Sequence, residues 1–130
     1  DPLNPWEVGV YQFDGWATNV SVAGDYAYVV DSNLRLRIVN VSNPSSPVEV
    51  STFNLYYVWG DIGISGHYLF VPDWIWGLRV IDVSNPASPN EVGLLREFAT
   101  AEEVVIREDR IYVVNRDTGL YVLEFRPFNP

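Results

Sequence analysis

Several residue types are missing from this chain, and each absence removes a class of function. There is no cysteine, so disulfides and thiolate metal sites are excluded and the redox compartment stays open. There is no lysine, and 8 arginines stand against 17 acids for a net charge of −9. Nucleic acid and polyanionic membrane surfaces call for a basic face, so neither is an expected partner. No apolar run approaches the roughly 18 residues of a membrane span, so membrane insertion is not expected. Methionine is absent too, and the chain starts at Asp1. That pattern reads as an exported chain whose signal has been removed, or as a segment cut from something larger. The expected location is extracellular or at the cell surface.

Catalytic equipment is equally sparse. The one histidine, His67, falls in a predicted hairpin turn at the place held by Asp25 and Asp109 in the other units, which suits a turn residue better than a general base. No nucleophile elbow or phosphate-cradling glycine loop is present. Glu102 and Glu103 are neighbours, and neighbours on a strand point to opposite faces. The expectation is a non-enzymatic protein with no catalytic residue, no metal and no cofactor.

What the chain does have is repetition. Leu36-Arg37-Ile38-Val39-Asn40-Val41-Ser42-Asn43-Pro44 returns as Leu78-Arg79-Val80-Ile81-Asp82-Val83-Ser84-Asn85-Pro86, and in worn form as Leu120-Tyr121-Val122-Leu123-Glu124-Phe125. The spacing is 42 residues, shared by Pro5, Pro47 and Pro89 and by Glu7, Glu49 and Glu91. Tyr28, Phe70 and Tyr112 keep it as well, as do Asp31, Asp73 and Asn115. The units are 6–47, 48–89 and 90–130 of a single repeat domain, 1–130.

Each unit reads as four short strands. The first is Trp6–Phe13, with equivalents Val48–Leu55 and Glu91–Phe98. The second is Thr18–Ala23, Asp61–Ser65 and Glu103–Arg107; the third is Tyr26–Val30, Tyr68–Val71 and Ile111–Val114. The repeated β-branched run is the fourth, closed by a proline that has no amide for a ladder. Gly24 and Gly66 suit the hairpin turns between second and third strands, whereas the third unit places Glu108 there, which predicts a longer or strained turn. No window of ten residues has helical apolar spacing. Four strands in 42 residues match propeller blades. The fold class is all-β, with three four-stranded antiparallel blades.

Tyr26-Ala27-Tyr28-Val29 and Gly77-Leu78-Arg79-Val80-Ile81-Asp82-Val83-Ser84-Asn85-Pro86 resemble the LVIVD repeat family over essentially the whole chain. Unit three departs from the pattern, with Arg126-Pro127 in place of Ser-Asn-Pro. The resemblance implies a propeller scaffold of an exported or surface protein and brings no catalytic residues with it. It also implies a strand order of innermost, second, third, then outermost after the Ser-Asn-Pro turn.

In that order, 6–13 is an outermost strand without its inner three, and 120–125 is a third strand without its outer partner. Three blades do not close a ring, since propellers run from about four to eight. Residues 1–5 reach only about 17 Å when extended, too short to close the arc internally. The expected partner is therefore a second copy, with Trp6, Val8 and Val10 of one chain pairing against Leu120, Val122 and Leu123 of another. A closing rotation gives a six-bladed dimeric ring; otherwise the contact propagates as a filament. A segment excised from a longer propeller is the remaining alternative, and it should aggregate.

A second expectation rests on aromatics. Trp16, Tyr56, Tyr57 and Trp59 lie in loops from outermost to innermost strand, and Trp74 and Trp76 between third and fourth. These are the least repeated parts of the units, and both loop types should emerge on one face. They suit glycans stacked on rings, core capping or a subunit interface. Asp31, Asp73 and Asn115 read first as Asx residues holding the next turn, ahead of a metal ring. Asn40, Asp82 and Glu124 recur within the fourth strand and are expected to satisfy neighbouring backbone groups. Asn19 and Asn40 match the N-glycosylation pattern, in or beside predicted strands.

Overall fold

Alternation of β-branched residues with polar ones produces eleven strands among the described residues, which are 1–58 and 60–126 of this computed structural model. Sheet one contains β1 (Ala17–Ala23), β2 (Tyr26–Asp31), β3 (Arg35–Asn40) and β4 (Val48–Asn54). Sheet two contains β5 (Gly63–Ser65), β6 (Tyr68–Asp73), β7 (Gly77–Asp82) and β8 (Asn90–Leu95). Sheet three has β9 (Ala101–Arg107), β10 (Arg110–Asn115) and β11 (Gly119–Glu124). Every pairing is antiparallel between sequence neighbours, in the orders β1-β2-β3-β4, β5-β6-β7-β8 and β9-β10-β11.

Two expectations need correction. The count of four strands per blade holds for sheets one and two only: sheet three has three strands among the described residues, with β11 at its edge, in keeping with the reading of 120–125 as a third strand without its outer partner. Nor does 6–13 form a strand: without a ladder partner in its own chain it runs as irregular backbone along sheet one. Smaller differences have local causes. β5 is cut to Gly63–Ser65, and ahead of it the Gly60 carbonyl and the Asp61 carboxylate accept hydrogen bonds from the Asn19 side-chain amide, at 2.9 and 2.8 Å. β8 stops at Leu95, and Arg96–Phe98 tighten into a 3-10 turn that buries Phe98. The β9–β10 turn is no longer than its counterparts. Glu108 takes φ 57° where Gly24 has 56° and Gly66 has 57°, so the missing glycine appears as backbone strain.

The core lies between sheets. Tyr28, Val30, Leu36 and Ile38 of sheet one form one buried cluster with Leu69, Val71, Ile81 and Val83 of sheet two. Phe70, Leu78 and Val80 on the opposite face of sheet two join Phe98 of the 3-10 turn and Val104, Ile111 and Val113 of sheet three in another. Tyr28, Leu36 and Ile38 occupy the same repeat positions as Phe70, Leu78 and Val80. One face of sheet one and of sheet two is thus committed to the sheet that follows it.

Candidate functional site

The same face of sheet three is covered by no further sheet among the described residues. Val114, Leu120 and Val122 hold the repeat positions of Val30, Leu36 and Ile38, yet they are 38, 63 and 55% exposed, against 0–1% for their counterparts. Leu123, on the opposite face, is half-buried and packs against the second cluster. β11 also presents an outer edge with no strand paired to it among the described residues. An open ladder edge beside an open apolar face is a pairing surface by construction.

The other end of the arc carries the segment 6–13. Trp6, Val8 and Val10 are exposed at 79, 57 and 58%. Beside them the segment is anchored to sheet one. Gly9 is backed so closely onto the Pro44 carbonyl that a Cβ would collide with it. Ser51, at the same repeat position in β4, donates its hydroxyl to the Pro86 carbonyl of the next sheet at 2.5 Å. The Arg37 guanidinium lies 4.5 Å over the Phe13 ring, and Tyr11 stands 5.6 Å from Phe13. Burial and the Glu49 carboxylate push the Tyr11 phenol above its ordinary pKa. The segment therefore rests against sheet one at the place where β4 rests against sheet two.

Each of the first two sheets contains a charged relay that sequence reasoning did not join up. Asp31 Oδ1 accepts from the amides of Asn33 (2.8 Å) and Arg35 (3.0 Å), and its Oδ2 from Arg37 Nε at 2.8 Å. Arg37 continues to Glu49 at 2.8 Å. Asp73 likewise holds the amides of Ile75 and Trp76 and pairs with Arg79, which donates to Glu91 at 2.5 Å. Burial alone would raise the Asp31 pKa, but the Arg35 amide, Arg37 and the Asn33 amide outweigh it and hold the carboxyl below its ordinary value.

Sheet three has Asn115 and Tyr121 at these two positions. Asn115 accepts from the amides of Asp117 and Thr118 and from the Thr100 hydroxyl, and donates to the Ala99 carbonyl at 2.7 Å. Acid and arginine change together, which is the signal that would have revealed the relay in the sequence. All three Asx residues close their own turns, and no cluster of metal-ligating groups occurs among the described residues.

The aromatic residues divide. Tyr57 and Trp74 line a cavity of about 580 Å³ together with Leu34, Val58, Ile75 and Arg116. Arg116, not anticipated from sequence, stands 5.7 Å over Trp74 and pairs with Glu102 at 3.0 Å. Tyr56 and Trp76 lie elsewhere, under Arg79 at 5.1 Å and Arg96 at 6.0 Å respectively. Trp16 is exposed at a strand entrance, its carbonyl accepting from the Ser32 amide. Trp59 lies outside the described residues.

The innermost strands β1, β5 and β9 line a wide opening of about 630 Å³ where the three sheets converge. Asn19 of β1 reaches the segment leading into β5 through its contacts with Gly60 and Asp61. Asn40 accepts from the Ser42 amide and hydroxyl at 2.9 and 2.7 Å. His67 sits in its turn with its carbonyl accepting from the Val83 amide, as Asp25 and Asp109 do from Val41 and Phe125.

Comparisons with known proteins agree with this architecture. BamB from Moraxella catarrhalis is similar, with a TM-score of 0.68 and 11% identity over 85% of this chain; the match spans 33% of the BamB chain, about a third of its length. The computationally designed Ika4 protein is similar over 95% of this chain and 99% of its own, with a TM-score of 0.56 and 5% identity. At such identities the likeness concerns the fold alone, which is that of β-propeller blades. No curated protein matches the sequence. The LVIVD repeat model matches residues 14–55 and 59–96, more than half of the chain and nearly the whole of sheets one and two, and by that match the chain belongs to the LVIVD repeat family.

Proposed function

We propose that this protein is a non-enzymatic interaction scaffold, outside the cell or at its surface, whose copies assemble head to tail. In this reading Trp6–Phe13 of one copy supplies the outer strand for β11 of the next, through Trp6, Val8 and Val10 against Leu120, Val122 and Leu123. The observation that carries it is the contrast between equivalent faces: what is buried in sheets one and two is bare in sheet three. The location outside the cell is part of this proposal and is supported by the family resemblance.

Light scattering on the 130-residue chain at micromolar concentration tests the assembly. The expected mass is two chains for a closed ring and more for a filament, and removal of residues 1–13 should return it to one. A full-length mass of one chain retires the reading; indefinite aggregation favours a piece of a longer propeller.

A second reading, carbohydrate binding, is favoured by the shared cavity of Tyr57 and Trp74, where rings can stack and Arg116 and Glu102 can take hydroxyls. Titration with simple sugars at millimolar concentration should show binding that Trp74→Ala abolishes; no binding at that concentration removes it.

A further inference from the structure

The internal repeats supply a register and a chemistry for the joint between copies. In sheet one, Leu36 pairs with Phe53, Arg37 with Thr52 and Ile38 with Ser51; after a bulge, Val39 pairs with Glu49 and Asn40 with Val48. Sheet two repeats the pattern with different side chains: Leu78 with Leu95, Arg79 with Leu94, Val80 with Gly93, a bulge, then Ile81 with Glu91 and Asp82 with Asn90. The bulge leaves the same repeat position, Val50 or Val92, without a partner. A one-residue slip would turn the outer strand's packed face to solvent, so the register follows the face pattern of the repeat.

Carried forward by the 42-residue spacing, the pattern sets Glu124 against Trp6, Leu123 against Glu7, Val122 against Gly9 and Tyr121 against Val10, with Val8 at the bulge. Glu7 then arrives where Glu49 and Glu91 meet their arginines, and the residue waiting there is Tyr121. Tyr121 already occupies the place of Arg79 in its packing. Arg79 lies 5.1 Å from the ring of Tyr56, and Tyr121 lies 5.2 Å from the ring of Phe98, the same repeat position as Tyr56. Beneath it the neutral Asn115 accepts from the Asp117 amide of its own turn and donates to the Ala99 carbonyl ahead of β9, and it needs no cation.

We propose that in the joint between copies the Tyr121 hydroxyl replaces the arginine as donor to the Glu7 carboxylate of the second copy, in the register given above. This rests on the head-to-tail reading. A phenol–carboxylate bond gives up the guanidinium's full charge and second donor, and no buried aspartate locks it from below. The joint is therefore weaker than the attachment of β4 or β8, and it opens by dilution while the sheets stay folded.

Because the chain has no cysteine, introduced thiols report the register without background. Trp6→Cys and Glu124→Cys single variants are mixed and oxidised. Directly opposed strand residues fall within disulfide range, so the mixture should give a covalent dimer and neither variant alone should. Trp6→Cys mixed with Val122→Cys, two residues out of register, should link at least about tenfold more slowly. Tyr121→Phe should weaken association by about tenfold or more, as expected for a hydrogen bond to a charged group, with the thermal midpoint of the dissociated chain unchanged. In a double-mutant cycle, Glu7→Gln should then add little.

An assembly that links through Val122 rather than Glu124, or through neither, overturns the register while leaving head-to-tail assembly standing. Additive effects of Tyr121→Phe and Glu7→Gln overturn the Tyr121–Glu7 bond alone. A single-chain mass overturns the joint and the assembly together.

Discussion

β7 and β11 are the same strand of the repeat in two settings. β7 is flanked on both sides and is buried along most of its length, with Leu78 at 0% exposure; β11 has one neighbour among the described residues, and its Leu120 is 63% exposed. The residue type is unchanged at that position, so the difference comes from what stands next to the strand and not from its composition. At Arg79 and Tyr121 the residue itself differs. An arginine whose charge is met from both sides has become a phenol on the sheet whose last strand is an edge among the described residues. A buried guanidinium without its second carboxylate is costly, and tyrosine avoids that cost whether or not a strand is present.

The largest test of this comparison is to remove the cation where it is needed. Arg79→Leu strands Asp73 as a buried unpaired charge and should destabilise the chain by about 3–5 kcal/mol, read from the urea midpoint. Tyr121→Leu in the dissociated chain should cost about 1 kcal/mol or less. Next in size is the leucine pair. Leu78→Ala should cost about 2–5 kcal/mol by opening a cavity between sheets two and three. Leu120→Ala should stay within about 0.5 kcal/mol in the dissociated chain; a cost like that of Leu78 would mean the face is covered.

Acid sharpens the contrast further. The Asp31 carboxyl is held below its ordinary value by two backbone amides and Arg37, which overcome its burial, so the folded state binds fewer protons than the unfolded one. Its contribution is fully present above the unfolded pKa, near 4, and is lost as pH falls through the lower folded value. Urea unfolding from pH 5 downward should show this loss, with a slope of at most about 1.4 kcal/mol per pH unit for the one proton. Asp31→Asn should remove that component of the slope. The smallest effect is expected at the strained turn. Glu108→Gly relieves a left-handed residue and should stabilise by about 1 kcal/mol or less, the added freedom of the unfolded glycine offsetting part of the gain.

Much of the sheet structure was legible beforehand because its causes are local. Tyr26–Val30 and Ile111–Val114 were located to within a residue by alternation and turn chemistry, whereas β3 and β7 end at Asn40 and Asp82, ahead of Pro44 and Pro86, where those side chains accept from the Ser42 and Ser84 amides. Strand ends that answer to distant groups were misplaced. β5 starts at Gly63 and not at Asp61, whose carboxylate is held by Asn19, a partner 42 residues away, and β6 runs on through Pro72, where the shortened β5 has already stopped opposite Phe70. The candidate site was legible only in part. Tyr57 and Trp74 share a cavity, but nothing in their spacing separates them from Tyr56 and Trp76, and Arg116 enters only through its contact with Trp74.

From the sequence alone followed the 42-residue unit, its turns and the family to which the chain belongs, because periodicity, proline and glycine act over a few residues. Tertiary structure decided which faces are covered, how Asp31, Arg37 and Glu49 join into one relay, and that 6–13 lies against sheet one without a ladder of its own. Those outcomes depend on which surfaces meet across tens of residues, and a strand's own composition carries no record of whether its neighbour is present.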